Sequence, residues 1–472
     1  YYHSQNDSKY IFEKVSHPNR GAGEVDGFLD EEDSRSQSYA WAAVENGDYI
    51  YVGTCFNSTY GIYYRNVYQM MVKAGKTPGD AAKIARDFVQ FVFNDRFDEN
   101  LKVRGIVVKF HKQTGEFSLV YDSKTDLDPA IQQTSCSGYR MAFEFNEKLY
   151  FVSLANPTMF LLEIDPDNND QSTIAFKRSL SAQGQAAQIA SGVHGLIVYD
   201  DEILMCLADE ASNEDKWLDG KPHPEGGMIV ASKDARNWRV IADENDLGPS
   251  AYHNYDGLMG GGIWDIIEYN GHIYTTVVTD LTDPATGKVN KQGFAMYRGT
   301  KESNGNFKWE MMIGDTLLNG VTYPYGLGTN YAMACNLWVY DGHLYLGTYN
   351  DPMLDLAEVP TRANFEPLYY DLYYSVNLYR MDEKEDIELV AGKPNDVFKN
   401  IVGNMGTGLG DNSNQYIWRM VNHDDKLWVA TYDTSTLTSV FTQLTDGQLA
   451  GMSKEEYQKR LNQIKILATS LK

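Results

Sequence analysis

The most regular feature of the chain is a pattern of apolar and polar positions that keeps returning. From Gly260 to Val277 it runs GGGIWDIIEYNGHIYTTV: a glycine-rich approach, an apolar run, Asn-Gly, and a second run. Asn-Gly between two such runs predicts a tight hairpin, because both turn residues must take positive φ. The pattern recurs as YAWAAVENGDYIYVGT from Tyr39, GYRMAFEFNEKLYFVS from Gly138, and GVHGLIVYDDEILMCL from Gly192. It returns as CNLWVYDGHLYLGT from Cys335 and YIWRMVNHDDKLWVAT from Tyr416. Aligned on the aliphatic residue of the second strand, the copies register at Ile50, Leu149, Ile203, Ile273, Leu344 and Leu427. Two more strand candidates follow each of the first five hairpins, such as GIVVKFH and FSLVYD in the first. Each unit therefore reads as four strands, A to D.

Four-stranded units repeating every 40 to 50 residues or so, with longer loops here, resemble the β-propeller superfamily. The fold class is read as all-β: one propeller of six four-stranded blades over residues 1–452, with seven blades the alternative. The sixth unit lacks a fourth strand. YIFEKV, Tyr10 to Val15, resembles the outer strands WRVIAD and KWEMMIG, so the N-terminus is predicted to close the ring and remove an open edge. Two helical segments interrupt the pattern. An insertion at about 65–97 holds Thr77-Pro78 and Asp80 ahead of a stripe of Ala81, Ile84, Ala85, Phe88, Val89 and Val92. At 453–472 the capping box Ser453-Lys-Glu-Glu456 starts a C-terminal helix read as packing on the propeller. Ser232-Lys-Asp234-Ala-Arg-Asn-Trp238 is similar to the Asp-box turns of sialidases and other propellers, one residue short and without their glycine. That resemblance implies a structural turn, its Asp accepting backbone N–H groups and its Trp packing between blades.

Composition narrows the partners. The net charge of −24, from 41 basic against 65 acidic residues, argues against nucleic acid or an anionic membrane. No 18-residue apolar run is present, so no membrane span is expected. The chain opens at Tyr1 without a signal peptide, which fits a mature secreted or extracellular protein of the cell surface or periplasm. The four cysteines, Cys55, Cys136, Cys206 and Cys335, include no CxxC pair, so a zinc knuckle is not expected. Cys55 and Cys206 read as small buried apolar residues.

Loop lengths point to one working face. The A–B and C–D turns are short, whereas the B–C and D–A connections are long, and antiparallel strands place all the long ones together. The predicted site is therefore the channel mouth, where strand A begins. At one register position of that strand stand Trp41, Arg140, His194, Trp264, Cys335 and Trp418; the next position holds Asp265, Asn336 and Arg419. The tryptophans read as packing between blades, and the polar residues as candidates to line a site. The D–A loops add His253, Tyr255, Asp256, Tyr325, Tyr331 and Asp411 amid glycines, a mixture suited to a glycan or small polar ligand.

The catalytic candidates are His194 or His253 as base, Tyr255 or Tyr325 as proton donor, and Arg140 with Arg419 as anion clamps. Trp264, Trp418, Tyr331, Asp265, Asn336 and Asp411 complete the binding set. These residue types resemble those of propeller polysaccharide lyases. Glycoside hydrolysis by Asp256, Asp265 and Asp411 is the variant, and a non-catalytic cell-surface binding or scaffold propeller is the rival. No cofactor is indicated, although oxygen ligands at Asn350, Asp351 and Asp355, at Asp209-Glu210, and at Asp280 and Asp283 could hold calcium. The sequence carries no information on oligomeric state.

Overall fold

The computed structural model describes, with short gaps, residues 37–56, 64–93, 104–179, 193–210, 220–247, 262–279, 281–282, 289–290, 292–350, 375–411 and 414–433. These residues are mostly strand, arranged as successive antiparallel sheets. The first unit has β1 (Gln37–Asn46), β2 (Tyr49–Phe56), β3 (Ile106–His111) and β4 (Phe117–Asp122). The second has β5 (Ser135–Phe145), β6 (Lys148–Asn156), β7 (Thr158–Asp165) and β8 (Gln171–Ser179). The third has β9 (Val193–Tyr199), β10 (Glu202–Glu210), β11 (Gly226–Ser232) and β12 (Arg239–Ala242). The fourth has β13 (Gly262–Tyr269), β14 (His272–Val278), β15 (Ala295–Lys301) and β16 (Phe307–Gly314). The fifth has β17 (Ala334–Tyr340), β18 (His343–Tyr349), β19 (Leu378–Met381) and β20 (Ile387–Ala391). The sixth contributes β21 (Asn414–His423) and β22 (Lys426–Asp433). In the first five units each strand pairs antiparallel with the next, in the order read from the repeats.

The hairpin turns explain the recurring sequence. Both turn residues have positive φ in five of the six A–B hairpins: Asn146-Glu147, Asp200-Asp201, Asn270-Gly271, Asp341-Gly342 and Asp424-Asp425. This geometry matches the right-handed twist of the paired strands, so Asn, Asp and Gly are selected there. The first hairpin differs from the expected Asn46-Gly47 turn. Asn46 pairs with Tyr49, so the turn is Gly47-Asp48, and only Gly47 lies in the left-handed region.

The hydrophobic core lies between successive units. One cluster joins Phe143, Tyr150 and Leu161 of the second unit to Met205, Met228 and Val230 of the third. Equivalent clusters join the first to the second, the third to the fourth, the fourth to the fifth, and the fifth to the sixth. A sheet with both faces apolar needs a neighbour on each side, which the repeat supplies. The Asp-box-like turn serves this packing. Asp234 Oδ1 accepts the N–H groups of Arg236 at 2.9 Å and Asn237 at 2.7 Å, and those bonds hold its carboxyl down at about 2. Trp238 is buried in the cluster between the second and third units, with its Nε1 donating to Ala235 O.

The insertion contains α1 (Pro78–Phe93). Thr77 Oγ1 accepts the N–H of Asp80 at its start, and Ala81, Ala85 and Val89 form its buried stripe. All four cysteines are buried, and no disulfide joins them. Among the described residues no helix is long and apolar enough to cross a membrane. The segments 10–15 and 453–472, read as a closing strand and a C-terminal helix, lie outside the described residues.

Candidate ligand site

The first strands of the units share a defect at one place. The A–B ladder shifts register at Trp41 in β1, at Arg140 in β5, at His194-Gly195 in β9, at Trp264 in β13 and at Trp418 in β21. A bulge re-aims a side chain that the pleat would otherwise place on a sheet face. The ladder of the fifth unit is regular, and there Cys335 stays in the core.

The re-aimed side chains meet one another. Arg140 Nη1 lies 2.6 Å from His194 Nε2, and the His194 ring stacks on Trp264 with centroids 3.9 Å apart. Trp264 packs on Tyr349 at 4.9 Å, Tyr349 on Tyr416 at 4.4 Å, and Tyr416 on Trp418 at 5.5 Å. Trp418 stacks on Trp41 at 6.1 Å, and the Arg140 guanidinium lies over Trp41 at 4.9 Å. The contacts form a closed circuit with a member from every unit. Trp264 packs between the fourth and fifth units, as read from the sequence, and Trp41 and Trp418 bring the first and sixth units together; the bulges also bring these rings into one circuit.

The electrostatics of this circuit are specific. Arginine only donates, so His194 Nε2 accepts from Arg140 and the imidazole is neutral, its proton on Nδ1. Burial, then the charges of Arg140 and Arg419, hold the His194 pKa well below its usual value. Arg419 reaches across to the third unit, its Nη2 2.8 Å from Met141 Sδ and donating to His194 O at 3.0 Å. It forms no ion pair among the described residues.

Asp265 sits beneath, buried, with Oδ1 accepting Ile266 N–H and Oδ2 accepting Leu337 N–H. Burial raises its carboxyl to about 6, although Arg419 and the two N–H groups pull it down. Asn336 ties the fifth unit to its neighbours, accepting Trp264 Nε1–H and donating to Ile417 O.

The Asp265 shift has a measurable consequence. A folded-state pKa above the unfolded value contributes stability that is full below pH ~4 and lost as pH rises through about 6. For Asp265 this amounts to about 3 kcal/mol. Urea unfolding should therefore show a loss of stability between those pH values that is smaller by about that amount in Asp265→Asn. Equal pH slopes in the two proteins would contradict the assignment.

Beside the circuit lies a cavity of about 560 Å³. Its lining includes Asn330, Tyr331, Thr348, Asn350, Ser375, Asn377, Lys393 and Asn395. Thr348 and Asn350 flank Tyr349, so strand alternation places them on the opposite side from the circuit. The cavity opens where β18 ends and β19 begins, the face carrying the long loops.

The sequence-derived candidates thus divide into groups. Arg140, His194, Trp264, Trp418 and Arg419 come together in the circuit, braced by Asp265 and Asn336. Tyr331 lines the cavity. Tyr325 lies apart, packed against the core between the third and fourth units, and Asp411 is half-buried beyond a short 3₁₀ turn. His253, Tyr255 and Asp256 lie outside the described residues. Tyr349 and Tyr416 were not among the candidates. Tyr416 could have been found, since it stands two residues before Trp418 on the same strand. Tyr349 enters from the end of a second strand, where the comparison of first strands could not reach. No group of three metal-ligating side chains occurs among the described residues. Of the carboxylates proposed for calcium, Asp209 and Glu210 end β10, and those at positions 280, 283, 351 and 355 lie outside the described residues.

No protein-family model matches the chain, and no curated protein does. Similar solved structures include a prolyl endopeptidase, at 8% identity and TM-score 0.38, covering 85% of this chain and 41% of that one. The β-propeller domain of the Trilobed protease from Pyrococcus furiosus is 9% identical with TM-score 0.33, covering 72% of this chain and 70% of that one. A GH43_1 enzyme from Xanthomonas citri is 8% identical with TM-score 0.32, covering 73% and 88%. The chain therefore spans less than half of the prolyl endopeptidase. Likeness at this level assigns it neither a family nor an activity.

Proposed function

We propose that the protein is a six-bladed β-propeller that binds an acidic glycan, or a similar anionic polyol, at its channel mouth and acts on it in a lyase-like way. The observation that carries this reading is Arg419: half-buried, beside Arg140 and a neutral His194, and ion-paired with no carboxylate among the described residues. A guanidinium presents a planar fork of donors that matches a ligand carboxylate. Neutralising that carboxylate makes the hydrogen on its α-carbon more acidic. His194 supplies an imidazole that stays unprotonated, and Arg140 turns from Nε2 to the ligand to free it as base. Tyr349 or Tyr416 would return a proton to the departing oxygen as the C–O bond breaks and the double bond forms.

Hydrolysis by a carboxylate pair has less support, because both oxygens of Asp265 are committed to backbone N–H groups. The test is a screen of polyuronates, sulfated glycans and neutral glycans, followed by the absorbance of unsaturated product and by calorimetry. Turnover of polyuronates, lost in Arg419→Ala, is expected. Binding without turnover would move the protein to the non-catalytic class. No response to any acidic glycan would overturn the reading.

The six-blade count and its N-terminal closure belong to the same proposal. The Trp41–Trp418 stack supports a ring in which the last unit meets the first. Val421 and Trp428 on the sixth unit are exposed, and so is Ile50 on the first, leaving apolar surface for an outer strand to cover. Deleting residues 1–16 is expected to lower the melting temperature by roughly 5 °C. An unchanged melting curve would exclude the closure.

A further inference from the structure

The cavity beside Tyr349 takes no part in the reaction proposed above, and it is built differently. We infer that it is a second, neutral-sugar site, which takes a disaccharide-sized carbohydrate through its hydroxyl groups. Its 560 Å³ falls within the ordinary range of small-molecule sites. Its walls carry the side-chain amides of Asn330, Asn350, Asn377 and Asn395, with Lys393, Asp396 and Lys399 also on the lining. A carboxamide both donates and accepts, which is what a vicinal diol requires, and it favours neither sign of charge.

Three of these amides are already held in place. Asn377 donates to Tyr379 Oη at 2.9 Å and accepts the Lys393 N–H at 2.9 Å. Asn350 donates to Gln415 Oε1 at 3.2 Å, and Asn395 donates to Leu327 O at 2.9 Å. Fixed walls reduce the ordering cost of binding.

Ser375 points independently to a ligand. It is 7% exposed, lines the cavity, and its Oγ has no hydrogen-bond partner among the described residues. A buried hydroxyl left unpaired is destabilising, and native structures rarely keep one. A sugar hydroxyl entering the cavity would supply the missing partner.

The experiment titrates cellobiose, xylobiose and maltose into wild type, Ser375→Ala and Asn330→Ala, read by calorimetry and saturation-transfer NMR. Wild type is expected to bind at least one of the three. Ser375→Ala should weaken that binding by about fivefold, the loss of one hydrogen bond. The same variant should raise the melting temperature of the ligand-free protein by about 1–2 °C, because a stranded hydroxyl has been removed. Asn330 is exposed at the rim, so Asn330→Ala tests the site without disturbing the fold. The inference is overturned if wild type binds none of the three sugars, or if neither variant changes the affinity. Because the readout is neutral-sugar binding, failure of the lyase-like reading leaves this result standing.

Discussion

Replacing Trp264 with alanine is expected to lower the free energy of unfolding by about 3–5 kcal/mol, the range for deleting a buried aromatic side chain. Trp264 is 7% exposed and packs with Val278, Met333, Ala334 and Tyr349. It also carries the His194 ring on one face and donates to Asn336, which in turn bonds the sixth unit. Its removal therefore opens a cavity and leaves an acceptor unpaired where four units meet. Trp264→Phe keeps most of the volume and loses the donor, so it should cost clearly less. Urea unfolding of the three proteins at one pH measures both differences. A cost below about 1 kcal/mol for the alanine variant would mean that Trp264 is not a packed element of the circuit.

His194→Ala is expected to reduce kcat/KM on an acidic glycan by about 10²–10⁴-fold, the usual contribution of a general base. The loss should fall mainly in kcat, because the proposed anion clamp is Arg419 rather than the imidazole. Arg419→Lys should do the opposite. It keeps the charge but loses the fork, so it raises KM by about tenfold with a smaller change in kcat. The pH profile adds a separate check. Burial and two arginines keep His194 neutral below the usual histidine range, so the rate should persist below pH ~6.5 and fall only when the imidazole takes a proton. An unchanged kcat in His194→Ala would remove it from the mechanism, whatever its effect on stability.

Glycines at the strand entrances show how closely the first strands approach. A Cβ on Gly195 would stand 2.7 Å from the Asp265 Cα and 2.8 Å from the Ile266 N. The His194-Gly195 bulge thus brings β9 against β13, which sets the imidazole over the Trp264 indole. Any side chain larger than hydrogen at position 195 would push those strands apart and separate the two rings.

Local chemistry determined much of this molecule. The Asn, Asp and Gly pairs at the hairpins need positive φ, and alternating residues need a sheet face on each side, so strands, turns and repeat order follow from short stretches of sequence. The face carrying most of the long loops was legible for the same reason, because strand direction simply alternates, although a single position separates β6 from β7 on that face. The start of α1 was equally local, written in Thr77, Pro78 and Asp80. The aim of the side chains was a different matter. Period two places Trp41, Arg140, Trp264 and Trp418 on sheet faces, and one extra residue in each ladder turns them toward one another instead. A bulge is a relation between two strands, so no single strand announces it. Nor could the sequence show that Arg140 would occupy His194 Nε2, that Arg419 would cross from the sixth unit to the third, or that Tyr349 would take the place left by Cys335. Those contacts join residues far apart in the chain, and only the packing of the units against one another brings them within range.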